Sequence, residues 1–267
     1  EQKSAIKNIT NDLDHFRCFL LDGITGSGKT DVYMQVIEKQ LRAGKQTLIL
    51  VPEIGLTPQT INRFRSRFDC PVVAIHSGLS NTEKLNSWRA ARSGAAGIVI
   101  GTRSAVFTPL ANPGLIVVDE EHDSSFKQQD GFRYSARDLA VMRAREENVC
   151  IVLGSATPCL ESLQNALSEK FSHLKLLNRA GDAQSPMLRL IDVANEYTES
   201  GYSEQLLTHI HQHLNNGNQV LVFINRRGFA PVLKCDNCGW LSECGHCDTQ
   251  LTVHRTPLSL KCHHCGS

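Results

Sequence analysis

Apolar residues along the chain fall into two alternating kinds of segment. Short unbroken runs occur at Cys18-Phe19-Leu20-Leu21, Gln46 to Val51, Val72 to Ile75, Gly97 to Ile100, Leu115 to Val118 and Val149 to Leu153. Runs of that length and composition predict strands buried on both faces. Between them the apolar positions recur at helical spacing. Ala5, Ile6, Ile9 and Leu13 mark one face of a helix from Glu1 to Leu13, and further helices are predicted from Asp31 through Ile37, from Thr60 to Phe68, from Asn81 to Arg92, from Ala136 to Glu147 and from Leu160 to Leu167. Strands alternating with helices predict an α/β fold with a parallel sheet covered on both sides. This first lobe is expected to span residues 1–178.

A polar, glycine-containing linker follows from Arg179 to Pro186. A second α/β unit then starts, with strands expected at Leu188–Ile191 and Gln219–Ile224 around a helix from Ser203 to Leu214. Residues 179–232 are thus linker and partial second lobe, and residues 233–267 form a cysteine-rich insertion that interrupts it.

Composition narrows the picture. With 267 residues, 41% of them apolar, the chain can bury a substantial core. Its net charge of +1 means that any nucleic-acid surface is local rather than global. No stretch approaches the roughly 18 uninterrupted apolar residues of a membrane span, so no membrane partner is expected. The chain starts at Glu1 without a methionine and stops two residues after a Cys-x-x-Cys, and both ends read as cut from a longer protein.

The strongest chemical signal is Gly23-Ile24-Thr25-Gly26-Ser27-Gly28-Lys29-Thr30, which reads G-x-x-x-x-G-K-T between a predicted strand and a predicted helix. Glycines let the backbone wrap a phosphate chain at a helix N-terminus. Lys29 is expected on the terminal phosphates of ATP, with the Thr30 hydroxyl on Mg²⁺. A second signal, Asp119-Glu120-Glu121-His122, follows the fully apolar run Leu115–Val118. Ligands of parallel sheets bind beyond the carboxyl ends of the strands. Asp119 is expected to hold Mg²⁺, and Glu120 to orient and deprotonate the attacking water.

From Ser124 to Arg137, three aromatic residues (Phe126, Phe132 and Tyr134) alternate with Lys127, Arg133 and Arg137. Rings stack on bases of any sequence and cations hold phosphates, which suits single-stranded DNA.

Ten cysteines form two populations. Cys18, Cys70, Cys150 and Cys159 sit among apolar neighbours and read as buried free thiols. The other six form three Cys-x-x-Cys pairs, Cys235/Cys238, Cys244/Cys247 and Cys262/Cys265. In a cytosolic protein these read as structural Zn²⁺ ligands. Cys244, Cys247, Cys262 and Cys265 enclose a possible hairpin, giving a zinc ribbon; Cys235 and Cys238 then await partners beyond Ser267. Pairing 235/238 with 244/247 is the alternative.

Glycine loop, Asp-Glu-Glu-His box and Ser155-Ala156-Thr157, in that order, resemble the DEAD/DExH-type helicase superfamily. Val51-Pro52-Glu53-Ile54, His76-Ser77-Gly78-Leu79-Ser80, Gly101-Thr102-Arg103-Ser104-Ala105, Asn225-Arg226-Arg227-Gly228 and the cysteine insertion further resemble the bacterial replication-restart helicases. The resemblance implies two RecA-like lobes, the second interrupted by a zinc-binding insertion, and 3′-to-5′ DNA unwinding driven by ATP. It places Ser77, Thr102, Arg103 and the aromatic loop on DNA, has Ser155 and Thr157 couple hydrolysis to movement, and sets Gln2 on the adenine base. His122, in place of the aspartate of DEAD-type RNA helicases, favours a DNA translocase. Two zinc ions held by eight cysteines are also implied, as is a cytoplasmic, nucleoid-associated protein that recognises stalled forks. Its partners would be forked and single-stranded DNA, primosome and replication-restart proteins and single-stranded DNA-binding protein. A zinc-bearing scaffold that uses ATP as a switch is the other function class, and a duplex translocase that does not unwind is a third. Because the arginines that such helicases place on the second lobe would lie beyond residue 267, the segment alone is expected to be a weak ATPase.

Overall fold

The computed structural model describes residues 1–181, 186–193, 198–199, 202–223, 230, 232–235 and 237–267. The chain divides into two compact units, Glu1–Pro186 and Met187–Ser267. The first is built on a seven-stranded sheet, all of whose pairings are parallel. Its strands are β1 (Cys18–Gly23), β2 (Gln46–Leu50), β3 (Val72–Ile75), β4 (Ile98–Gly101), β5 (Pro113–Asp119), β8 (Cys150–Ser155) and β9 (Ser172–Leu176), in the order β3-β4-β2-β5-β8-β1-β9.

Side chains alternate across a strand, so each apolar run feeds both faces. Phe19, Leu21, Ile49, Leu115, Val117 and Val152 pack on one side, beneath α1 (Gln2–Asn11), α2 (Lys29–Arg42) and α3 (Pro58–Arg67). Leu20, Leu48, Leu50, Ile116, Val118 and Leu153 pack on the other. There α4 (Asn81–Arg92), α5 (Ala136–Glu146) and α6 (Leu160–Leu167) cover them, with Ala91, Ala140, Ala144 and Ala166 allowing close approach. The six predicted strands and six predicted helices of this lobe are all present. The chain adds β9, an edge strand of Ser172-His173-Leu174-Lys175-Leu176 paired only with β1. Its mixed polarity hides it from a search for apolar runs.

Between β5 and α5 lies a small hairpin of β6 (Lys127–Gln128) and β7 (Tyr134–Ser135). Ser135 closes it by accepting a hydrogen bond from the Asp138 amide, which starts α5.

The second unit contains the short pair β10 (Thr198–Glu199) and β11 (Tyr202–Ser203), helix α7 (Glu204–Asn215) and an antiparallel hairpin of β12 (Thr252–Arg255) and β13 (Leu258–Lys261). The helix and the hairpin are as expected. The strands expected at 188–191 and 219–224 are not formed in the described residues, where Leu188, Leu190, Leu221 and Phe223 are exposed. No strand among the described residues lies beside them to supply the ladder that a strand requires. Ile224 and Asn225-Arg226-Arg227-Gly228 lie outside the described residues. Among the described residues, no helix is long and apolar enough to cross a membrane.

Candidate active site

The phosphate loop is the turn between β1 and α2. Gly26 and Gly28 adopt φ of 81° and 86°, a region open mainly to glycine. Gly28 also caps α2, and a Cβ there would collide with the side chain of Gln2. Gln2 Nε2 donates to the Ser27 carbonyl at 2.7 Å, so α1 is pinned to the loop. Lys29 is buried and its ammonium donates to the Gly23 carbonyl at 2.7 Å, folded back across the loop. Ser27 Oγ is buried without a hydrogen-bond partner. A cation and an unsatisfied hydroxyl in a glycine turn at a helix N-terminus fit a polyphosphate. Residues 25–31 line a cavity of about 300 Å³ together with Arg63, Asp119 and Glu120.

Asp119 is the last residue of β5. Its Oδ1 accepts from the Tyr33 hydroxyl of α2 at 3.1 Å, a reach that Gly154 permits, since a Cβ there would strike the same hydroxyl. Burial, followed by the neighbouring Glu120 charge, raises the pKa of Asp119 above the usual carboxylate range. A cation beside it would relieve both effects. Thr30 and Asp119 line the same cavities and offer the hard oxygen donors that Mg²⁺ takes. Glu120 has φ of 49°, the left-handed region that non-glycine residues seldom occupy. The chain turns there, and Glu120 and Asp119 open onto one cavity.

Glu121 turns away from that cavity, whereas His122 lines the adjoining one with Asp119 and Glu120, its Nδ1 3.6 Å from Glu120 Oε2. His122 Nδ1 lies 2.6 Å from Ser155 Oγ at the end of β8, and Ser155 also accepts from the Thr157 amide at 3.0 Å. Glu121 is buried behind the site. It accepts from the Cys159 amide at 2.8 Å and the Ser162 hydroxyl at 2.8 Å, and pairs with Arg137 at 3.3 Å. Arg137 also bonds Asp138 and Cys159. Burial opposes the Arg137 charge, but Asp138, Cys159 and Glu121 outweigh it and push its pKa up. Arg137 is therefore a buried tie between α5 and the acid box and is not free to hold DNA phosphates. Cys159 likewise belongs to this polar network, whereas Cys18 and Cys150 are buried thiols whose pKa is raised mainly by burial. Neither Glu121 nor Arg63 stood out in the sequence. Glu121 is one of three adjacent acids, and only burial separates their roles.

The remaining residues lie farther along the carboxyl edge of the sheet. Thr102 follows β4 and is buried; Ser77 follows β3 and is exposed. β4 stands four places from β1 in the sheet, about 19 Å at ordinary strand spacing. Arg103 donates to the carbonyls of Ser125 and Lys127, both at 3.1 Å, and so clamps the start of the aromatic loop. Phe126 is 2% exposed and packs in the core, which corrects its expected place on DNA: it anchors the loop. Lys127, Phe132 and Arg133 are exposed, and Tyr134 is half-buried.

In the second unit, Cys244, Cys247, Cys262 and Cys265 bring their sulfurs within 4.8 Å of one another, with 244–265 and 247–262 separations of 3.5 Å. Zn–S bonds of about 2.3 Å arranged tetrahedrally set sulfurs roughly 3.8 Å apart, so four thiols at this spacing fit zinc. Hydrogen bonding, from Ser267 to Cys265 and among the four cysteines, lowers the pKa of Cys265 and Cys262 and raises that of Cys247, so the fit to zinc rests on the spacing of the four sulfurs. Cys235 and Cys238 are not part of this cluster. They belong to a separate turn closed by Gly239 N–H donating to the Cys235 carbonyl at 2.8 Å.

This arrangement defines a class. Residues 1–166 match the DEAD/DEAH box helicase family, and the chain belongs to that family. It is 53% identical to Replication restart protein PriA of Haemophilus influenzae over 94% of this chain and 34% of that protein, and 43% identical to Replication restart protein PriA of Bacillus subtilis over 100% and 34%. The chain thus spans about a third of the length of the curated relatives it matches. Among solved structures it is similar to RecG bound to a three-way DNA junction, with 25% identity and a TM-score of 0.57, over 81% of this chain and 28% of that one. The fold is accordingly α/β and RecA-like.

Proposed function

We propose that this chain is the nucleotide-hydrolysing part of an ATP-driven DNA helicase that acts in replication restart. One observation supports the reading above others: Lys29, Thr30, Asp119 and Glu120 meet in a single cavity at the carboxyl ends of β1 and β5. In this reading Lys29 leaves the Gly23 carbonyl for the terminal phosphates, and the loop amides and Ser27 take further phosphate oxygens. Thr30 and Asp119 would hold Mg²⁺, which would supply positive charge beside those oxygens. Glu120 orients the attacking water and accepts its proton. Gln2, fixed against the loop, reads the adenine. His122 and Ser155 pass the state of the acid box to Thr157 on the exposed edge, where Ser77, Arg103, Lys127, Phe132, Arg133 and Tyr134 meet DNA, whereas Thr102, expected there, is buried and supports the turn from beneath.

The name shared by the relatives supports a place in replication restart; with it we propose the finer reading that the sequence resemblance implies: 3′-to-5′ polarity, recognition of stalled or repaired forks, primosome assembly, contact with restart proteins and single-stranded DNA-binding protein, and a cytoplasmic, nucleoid-associated location. Residues 1–178 then form the first helicase lobe, 179–232 the linker and part of the second, and 233–267 a zinc-binding insertion. Cys235 and Cys238 take a second zinc with ligands outside this sequence.

Fluorescent-ATP binding by this chain, and strand displacement by the chain extended to the relatives' length, test the proposal. Lys29→Ala should abolish binding, whereas Glu120→Gln should bind as the parent does and stop hydrolysis. Duplexes with a 3′ single-stranded tail should be opened in preference to those with a 5′ tail. Parental hydrolysis by Glu120→Gln would remove Glu120 as the base.

A further inference from the structure

Phe107 has no part in the reading above, yet the fold presents it with care. It ends the helical turn Arg103–Phe107 that follows β4, and its ring is 57% exposed. The turn is anchored on both sides. Ala105 and Val106 are buried, and Arg143 of α5 donates to the Val106 carbonyl at 2.8 Å. Arg103, in the same turn, clamps the aromatic loop through Ser125 and Lys127. The two segments are thereby held side by side, and their rings meet. Phe107 lies edge-on to Tyr134 with centroids 5.1 Å apart and planes at 66°. Tyr134 in turn lies 6.0 Å from Phe132, tilted by 33°. Phe132 is 79% exposed.

Exposed aromatic residues in contact with one another form an apolar patch of the kind that marks a binding surface. The neighbouring charges select the occupant. Lys127 and Arg133 are exposed and basic, and Lys127 acts electrostatically on Glu161 of α6, helping to lower its pKa. Rings flanked by exposed cations fit a chain that alternates flat apolar faces with phosphates, which is a single strand of nucleic acid. We propose that Phe107, Tyr134 and Phe132 form one platform on which bases of single-stranded DNA stack, with Phe107 as its fixed end. The inference rests on the DNA-helicase reading and adds to it a residue outside the aromatic loop. Because the turn is already anchored, Phe107 loses little freedom on binding, whereas Phe132 has to be ordered.

The test is binding of fluorescein-labelled oligo(dT) to this chain, measured by anisotropy over a range of salt concentrations. Phe107→Leu keeps the apolar bulk and removes the π face; Phe107→Trp enlarges that face. The leucine variant should bind about fivefold or more weakly and the tryptophan variant at least as well as the parent. The salt slope should be the same in all three, since the phosphate contacts are unchanged. Parent-like binding by Phe107→Leu overturns the platform while leaving the DNA reading in place. Loss of fluorescent-ATP binding in the same variant overturns it too, by assigning Phe107 a structural role. If the parent itself does not bind oligo(dT), the DNA reading fails and the platform with it.

Discussion

His122 Nδ1 and Ser155 Oγ stand 2.6 Å apart, joining the acid box after β5 to the end of the adjacent strand β8. Ser155 is fully buried, and its oxygen also accepts from the Thr157 amide. In the proposed mechanism, a shift of the acid box on loss of phosphate reaches an exposed residue, Thr157, through one hydroxyl. Ser155→Ala should leave nucleotide binding close to parental, because no phosphate-loop contact changes. In the protein extended to the relatives' length, strand displacement per ATP hydrolysed should fall at least tenfold, a loss of about 1.4 kcal/mol of coupling. Parallel measurement of turnover and displacement checks this; an unchanged ratio sinks the relay.

Arg63 supplies a second expectation. Helix α3 has three arginines: Arg65 donates to the Val72 carbonyl and Arg67 pairs with Glu38. Arg63 has no such partner among the described residues and lines both the phosphate cavity and the cavity of about 490 Å³ beside it. A cation there faces the charge that develops during phosphoryl transfer, a role for which arginine is suited. Arg63→Ala should weaken fluorescent-ATP binding roughly tenfold, with a smaller effect on the diphosphate. Equal losses for the two nucleotides would show that Arg63 does not sense the terminal phosphate.

The Glu121–Arg137 pair makes a prediction about stability instead. Both side chains are buried, and removing one partner of a buried pair costs about 3–5 kcal/mol by leaving the other uncompensated. Arg137→Met should lower the stability of the first unit by that order in urea, with the slope unchanged. Adding Glu121→Gln should recover part of the loss, since the amide keeps an acceptor for the Cys159 N–H while the buried charge is gone. Strictly additive losses would mean that the pair is not coupled.

What the sequence made legible was local and periodic. The phosphate loop, the acid box and the order of the first lobe's elements could be read because each is a contiguous pattern with its own context. The roles of Phe126 and Arg137 could not be read, because each looks like its neighbours and only tertiary packing turns it inward. Phe107 and Arg63 were missed for the converse reason: nothing in the chain marks Phe107 as the neighbour of Tyr134, 27 positions on, or Arg63 as facing the phosphate loop. Strand β9 was hidden by His173 and Lys175, polar residues that an edge position tolerates. The unformed strands at 188–191 and 219–223 have the right composition, but composition does not supply a neighbouring strand.

Zinc removal should affect the second unit and spare the first. The segment 233–267 is short, with Trp240 and Leu258 exposed and, among its described residues, Cys262 the one buried residue of the apolar type, so no sizeable core of described residues holds the β12–β13 hairpin. Small elements of this kind depend on their metal for folding. Chelation should abolish amide protection across 252–261 while leaving fluorescent-ATP binding by the first unit within about twofold of the parent. Cys262→Ser, which removes one of the four converging thiols, should reproduce that pattern without a chelator. Metal content by mass spectrometry should read one zinc per chain in the parent and near zero in Cys262→Ser. A Cys235→Ser variant should keep its single zinc, because that thiol stands outside the four-sulfur cluster. Loss of zinc in Cys235→Ser would instead mean that the pair 235/238 shares the ion with 244/247.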